Sequence, residues 1–193
     1  MYALTKPNTW FKMAVTLLVA ALLFVGFWGT SHAADPTASQ QATITINPGS
    51  RTITAGGDVT LPADTLNGAQ QTTALALSNL GIVDASGSGA GWHVTVDAPQ
   101  VSAGSKTLPA GSVQLDPVQS VSKVDTTSST TPAISTSSVA PVDTGSVTLL
   151  DAAAGDGMGS YSAALKNLTV IIPASAYAGT YTTTLTYNLS TAP

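Results

Sequence analysis

Strict alternation of apolar and polar positions runs through Gly179–Leu189: Tyr181, Thr183, Leu185, Tyr187 and Leu189 share one side, and Thr180, Thr182, Thr184, Thr186 and Asn188 the other. A period of two in β-branched and aromatic residues predicts a strand with one buried face. Such a strand needs partners earlier in the chain, and the same periodicity supplies them. Ala42–Ile46 and Arg51–Ala55, separated by the turn residues Asn47-Pro48-Gly49, predict a short hairpin or two edge strands. Thr72–Leu80, Leu80–Asp84 and Trp92–Val96 predict three more; in the last, Trp92, Val94 and Val96 face one way and His93, Thr95 and Asp97 the other. Leu108–Leu115 reads as a turn into a strand, and Val147–Leu150 and Tyr161–Leu165 as further strands. Asn167–Ile172 is the most apolar strand, ended by Pro173; Ala174–Ala178 predicts a loop or one helical turn before Gly179.

The alternation fails in two places. Over residues 1–33, Lys6 and Lys12 precede an apolar run from Met13 to Trp28, and Ser31-His32-Ala33 supplies small residues for cleavage, the pattern of a secretory signal peptide. The run also approaches the length of an uncleaved membrane anchor. Over residues 120–146 the chain turns to Ser, Thr, Pro and Ala, as in Thr126–Pro132, with few large apolar groups to offset the entropy of ordering, which predicts a loop or a partly ordered excursion. The expectation for 34–193 is therefore all-β: a single-domain antiparallel β-sandwich with a long Ser/Thr-rich internal loop at 120–146.

Composition narrows the function classes. Beyond the leader, Arg51, Lys106, Lys123 and Lys166 stand against ten acids, all Asp, which argues against nucleic acid and against attraction to anionic surfaces. There is no cysteine, hence no disulfide and no thiolate metal site. His93 is the one histidine outside the leader, and Glu is absent, so the usual inventory for acid/base or nucleophilic catalysis is missing and no enzyme is expected. Asp84-Ala-Ser-Gly-Ser and Asp151 through Asp156-Gly-Met-Gly carry oxygens, but neither has the ligand spacing of a calcium loop; no metal and no cofactor are expected.

Gly89-Ala-Gly91-Trp92-His93-Val94-Thr-Val96, Leu108-Pro-Ala-Gly111, Asn167-Leu-Thr-Val170, Ile172-Pro-Ala174 and Ala178-Gly-Thr-Tyr-Thr-Thr-Thr-Leu-Thr-Tyr-Asn-Leu189 follow one another in an order that resembles the WxL domain of Gram-positive surface proteins. The resemblance spans about Gln41 to Pro193 and is best from Gly89 onward. The family carries two Trp-any-Leu triplets. The first maps onto Trp92-His93-Val94, where Val stands for Leu, and the second onto Tyr187-Asn188-Leu189, where Tyr stands for Trp. The resemblance implies a secreted protein at the cell wall and cell surface, held non-covalently to peptidoglycan and associated with other anchored surface proteins, with no stable membrane insertion once the leader is removed.

The residues themselves leave two readings of the triplets open. Trp92 and Tyr187 could stack on sugar faces, with His93 and Asn188 offering polar atoms on the opposite strand faces. Alternatively Trp92, Val94, Tyr187 and Leu189 form the core between strands, and binding lies elsewhere. A different functional class also stays open: an assembly subunit that reaches the surface through a partner protein by strand or face pairing, with Ala42–Ile46 as the strand to be shared.

Overall fold

The computed structural model describes residues 37–192, and the leader expected over residues 1–33 lies outside them. Residues 37–45 group with an N-terminal unit and are exposed, without regular secondary structure. From Ile46 the chain is all-β, and among the described residues every regular element is a strand. No helix among them is long and apolar enough to cross a membrane.

One sheet orders β1 (Arg51–Thr54), β3 (Leu80–Asp84), β12 (Gly159–Ala164) and β8 (Ser120–Lys123). A second orders β2 (Gln71–Ala76), β13 (Asn167–Ile172), β7 (Val113–Leu115) and β10 (Ala140–Pro141). These two are one antiparallel surface with a bend, because β2 runs into β3, β7 into β8 and β12 into β13. Backbone bonds carry the pairing across the bend: Leu77 N–H to Lys166 O (2.8 Å), Asp116 N–H to Asn167 O (3.0 Å) and Gln119 N–H to Ala164 O (2.8 Å). In each crossing strand the inward set skips by three residues instead of two: Leu77 to Leu80, Leu115 to Val118, Leu165 to Leu168. One extra residue per strand at a common line re-aims the next half without exposing its apolar face.

The third sheet orders β14 (Thr186–Thr191), β4 (Trp92–Asp97), β11 (Val147–Ala152) and β9 (Ala133–Ile134). It packs over the β3/β12 half, with β1 beside β14 at one side and β8 beside β9 at the other. Leu80, Ile82, Tyr161 and Ala163 meet Trp92, Val94, Val96, Leu149 and Leu150 in a core from which water is excluded. Leu149 and Leu150 are consecutive and both buried because the β11–β4 register slips between Thr148 and Leu150, which lets two neighbours turn inward. Opposite the β2/β13 half the cover is thinner: a two-stranded ribbon, β5 (Ser102–Ala103) with β6 (Lys106–Thr107), and the segment before β14.

Two expectations change, and the structure chooses between two readings of a third segment. Among the described residues Ala42–Ile46 pairs with no strand; the pairing of this end of the chain begins where Gly49 N–H donates to Ala85 O (2.8 Å) and Ser50 O accepts from Ala85 N–H (3.1 Å), which sets β1 on β3. The final strand is shorter than its alternation; Tyr181–Leu185 keep alternating exposure, but only Thr182 bridges, to Ser102, before β14 begins at Thr186. The Ser/Thr-rich tract is an excursion that carries structure, since β8, β9 and β10 lie within it and Ser128, Thr136, Val142 and Asp143 are buried.

Candidate functional site

The two altered triplets come together. β14 pairs antiparallel with β4, placing Thr191 opposite Trp92, Leu189 opposite Val94 and Tyr187 opposite Val96. Paired residues share a face, so Trp92, Val94, Tyr187 and Leu189 all point inward, while His93, Thr95, Asp97, Thr186, Asn188 and Ser190 point outward.

Trp92 is fully buried, which overturns the reading of its ring as a sugar-stacking platform. Its ring meets Tyr161 edge-on, with centroids 6.3 Å apart and planes at 61°. Its indole N–H donates to Gly157 O at 2.9 Å. Gly157 has φ +71°, and a Cβ there would lie 2.6 Å from Trp92 Nε1, so only glycine can bring this carbonyl so close. The Tyr161 hydroxyl lies 2.8 Å from Met158 O and 3.0 Å from Ser129 O. Ser129 Oγ accepts from Met158 N–H at 2.8 Å, and Ser128 Oγ from Ser160 N–H at 3.0 Å. Hydroxyls of the Ser/Thr tract thus satisfy the polar groups around the Trp92–Tyr161 pair, a role that composition alone did not reveal.

Tyr187 occupies the matching place in the second triplet and is only half-buried. Burial nonetheless pushes its phenol up to about 12. It lines an open groove of about 1150 Å³ with Leu61, Leu77, Val170, Ile172 and Leu185. The groove rim carries Tyr177, which is 62% exposed, with Lys106 Nζ 4.1 Å from its ring centre and its carbonyl accepting from Tyr181 Oη at 3.0 Å. The sequence signal for the groove was present in the half-apolar alternation of 181–187, but its openness depends on the thin cover over the β2/β13 half.

The outward face is a continuous polar surface. His93 lies between Ser190 on β14 and Asp151 on β11, and Thr95 between Asn188 and Thr148. Asn188 Nδ2 donates to Asp97 Oδ1 at 3.3 Å. His93 and Asn188, one from each triplet, are diagonal neighbours here, and no aromatic ring shares their two strands' outward positions. Rich in hydroxyl, amide and carboxylate groups, the face suits a ligand made of hydroxyls and amides.

A third polar centre is structural. Asp84 is 2% exposed, and Arg51 Nη2 lies 3.2 Å from its Oδ2, while Oδ1 accepts the Ser86 hydroxyl (2.6 Å) and backbone N–H (3.0 Å). Burial pushes the carboxyl up, but the two Ser86 bonds and Arg51 together outweigh it and hold Asp84 below the usual range. Arg51 Nη1 also donates to Thr191 Oγ1 at 3.0 Å, tying β1 to β14 across the side of the sandwich. Among the described residues no three His, Asp or Glu side chains converge as a metal site would need.

A model of the family described as "WxL domain surface cell wall-binding" matches residues 34–193. No curated protein and no solved structure matches the chain.

Proposed function

The chain belongs to the WxL family of surface, cell-wall-binding domains, and from that membership we propose that it is exported by its leader and binds peptidoglycan non-covalently through the outward face of β4 and β14. The observation that carries this reading is the register that sets His93 opposite Ser190 and Asn188 opposite Thr95, so that both triplets contribute their middle residue to one polar face. Side chains on adjacent strands offer donors and acceptors at near-regular spacing to a glycan laid across them. With Trp92 buried, hydrogen bonds to sugar hydroxyls and acetamido groups do the work that ring stacking would otherwise do. The role is binding, not catalysis, in keeping with the lack of Cys and Glu.

The test is retention on washed, protein-free Gram-positive cell walls, using full-length protein expressed from its own start so that any processing takes its natural course. Wild type and Tyr187→Ala are expected to stay bound, and a His93→Ala/Asn188→Ala double variant, folded by circular dichroism, to wash through. Equal retention of the double variant would sink the assignment to this face. Retention should rise as pH falls toward about 4, where the Asp charges that repel an anionic wall are neutralised. A second reading, attachment through another anchored surface protein, draws on the exposure of Ile44 and Ile46 and would move ahead if wild type itself washed through.

A further inference from the structure

A strand at the edge of a sheet leaves half of its backbone groups without a ladder partner, and chains ordinarily blunt such edges by brevity, charge, proline or cover. Most edges here follow that rule. β5, β6, β9 and β10 are two residues long, and β10 holds Pro141. β8 holds Lys123, and β1 and β14 lie side by side, tied by the bond from Arg51 to Thr191. β2, at the end of its sheet beyond β13, has none of these devices: Gln71-Thr-Thr-Ala-Leu-Ala76 is six residues without charge or proline.

The phase of the ladder fixes which groups face outward. Leu77 N–H donates to Lys166 O, in continuation of the β2–β13 register, so Gln71, Thr73 and Leu75 turn their N–H and C=O toward β13. Thr72, Ala74 and Ala76 turn theirs away from it, and their side chains are exposed. The connection from β1 touches this edge at its two ends: Gly56 lies against Ser78, where a Cβ would collide, and Thr65 O accepts from Gln71 Nε2 at 2.9 Å. Between those points it lines the groove and, among the described residues, makes no backbone hydrogen bond to Thr72, Ala74 or Ala76.

We propose that two copies of this chain pair antiparallel along β2, about a two-fold axis at Ala74. In that register Ala74 faces Ala74 of the other copy and Thr72 faces its Ala76, and each opposed pair exchanges two backbone hydrogen bonds. The alternate positions set Leu75 beside Thr73 of the other copy. The strand is its own complement: small residues meet small ones on the exposed face, and no charge meets its like. The contact is isologous and closes at a dimer, which turns β2 into an interior strand of a sheet continuous through both copies. The pairing does not depend on which face meets the wall. One consequence does rest on that reading: the pair carries two outward β4/β14 faces, so a hold that is weak for one copy is reinforced by the second.

The absence of cysteine lets single thiols report the register. Full-length proteins expressed from their own start, each carrying one of Thr72→Cys, Ala74→Cys or Ala76→Cys, are oxidised mildly. Opposed Cα atoms in such a pair lie about 5.5 Å apart, within disulfide reach, whereas Thr72 and its own counterpart are offset along the strands by about 13 Å. Ala74→Cys is therefore expected to give disulfide dimers in several-fold excess over Thr72→Cys or Ala76→Cys alone, and these two to link when mixed. Ala74→Lys and Ala74→Glu, folded by circular dichroism, should each lose the dimer that light scattering finds in wild type, because like charges then stand opposed, and their mixture should restore it. Equal linking at all three positions would overturn the proposal, as would an Ala74→Lys variant that associates as wild type does. An unlinked Ala74→Cys beside a monomeric wild type would overturn it too, and would leave this edge to a different protein.

Discussion

Trp92 and Tyr187 hold the same place in the two triplets, sit on neighbouring strands and point to the same side of one sheet, yet they live in different solvents. Trp92 is sealed under β3 and β12, its N–H satisfied by Gly157 and its ring edge-on to Tyr161. Tyr187, opposite Val96 toward the other end of β4, looks into an open groove. The inward side of a strand is a direction, and it becomes core only where another layer lies over it. At the Trp92 end that layer is a sheet whose backbone is stitched by Ser128 and Ser129; at the Tyr187 end it is a two-stranded ribbon and an irregular segment.

If that contrast is right, the two ends answer substitution unequally. Trp92→Ala should cost about 3–5 kcal/mol in urea unfolding, as for a large ring removed from a packed core, and Tyr187→Ala clearly less, with the fold retained. Equal losses would show that the groove closes in solution. Gly157→Ala comes next, at about 2–4 kcal/mol, since φ +71° is strained for alanine and the new Cβ would press on Trp92 and Ala152. Its mark would be a shift in the fluorescence of the buried indole, which a remote backbone change would leave alone.

Asp84→Asn should cost about 2 kcal/mol, because it leaves Arg51 facing a neutral amide in a nearly buried site. The sign with pH follows from the lowered carboxyl. Its contribution is complete above the unfolded value near 4 and is lost as pH falls through the lower folded value, so acid should narrow the gap between wild type and variant. Acid unfolding curves of the two proteins measure this; a gap that stays constant down to about pH 2 would remove Asp84 from the account.

The smallest expected effect is alkaline. Tyr187, raised to about 12 by burial, keeps its proton longer folded than unfolded. The stability this confers is present below about pH 10 and fades as pH rises from there through about 12. Tyr187→Phe should flatten that decline, and the phenolate absorbance lost in this variant relative to wild type should lie at the alkaline end of the titration. A Tyr187 that loses its proton near the ordinary phenol value of about 10 would mean the groove is wetter than its lining implies.

Much of the fold is legible in the sequence. Alternation marked β4, β13 and the path of the last strand, and Pro173 marked where β13 ends. The order of short motifs from Gly89 onward pointed to the family that the match over residues 34–193 shows. The triplets could be located but not oriented, because a period of two says which residues share a side and is silent on what covers that side. The structural role of the Ser/Thr tract is hidden from the sequence for a related reason. Its hydroxyls contribute through partners about thirty residues away, Met158 N–H for Ser129 and Ser160 N–H for Ser128, and no local window contains both ends of such a bond.

Sequence alone therefore determined the all-β class, the strand faces, the scarcity of catalytic groups and the family, since these depend on composition, short-range periodicity and motif order. Long-range packing determined the rest: that Trp92 is sealed and Tyr187 is not, that His93 and Asn188 share one outward face, and that Ala42–Ile46 pairs with no strand among the described residues. Each of these depends on which strand lies next to or over which. That pairing is set by contacts between residues far apart in the chain, whose register no single segment encodes.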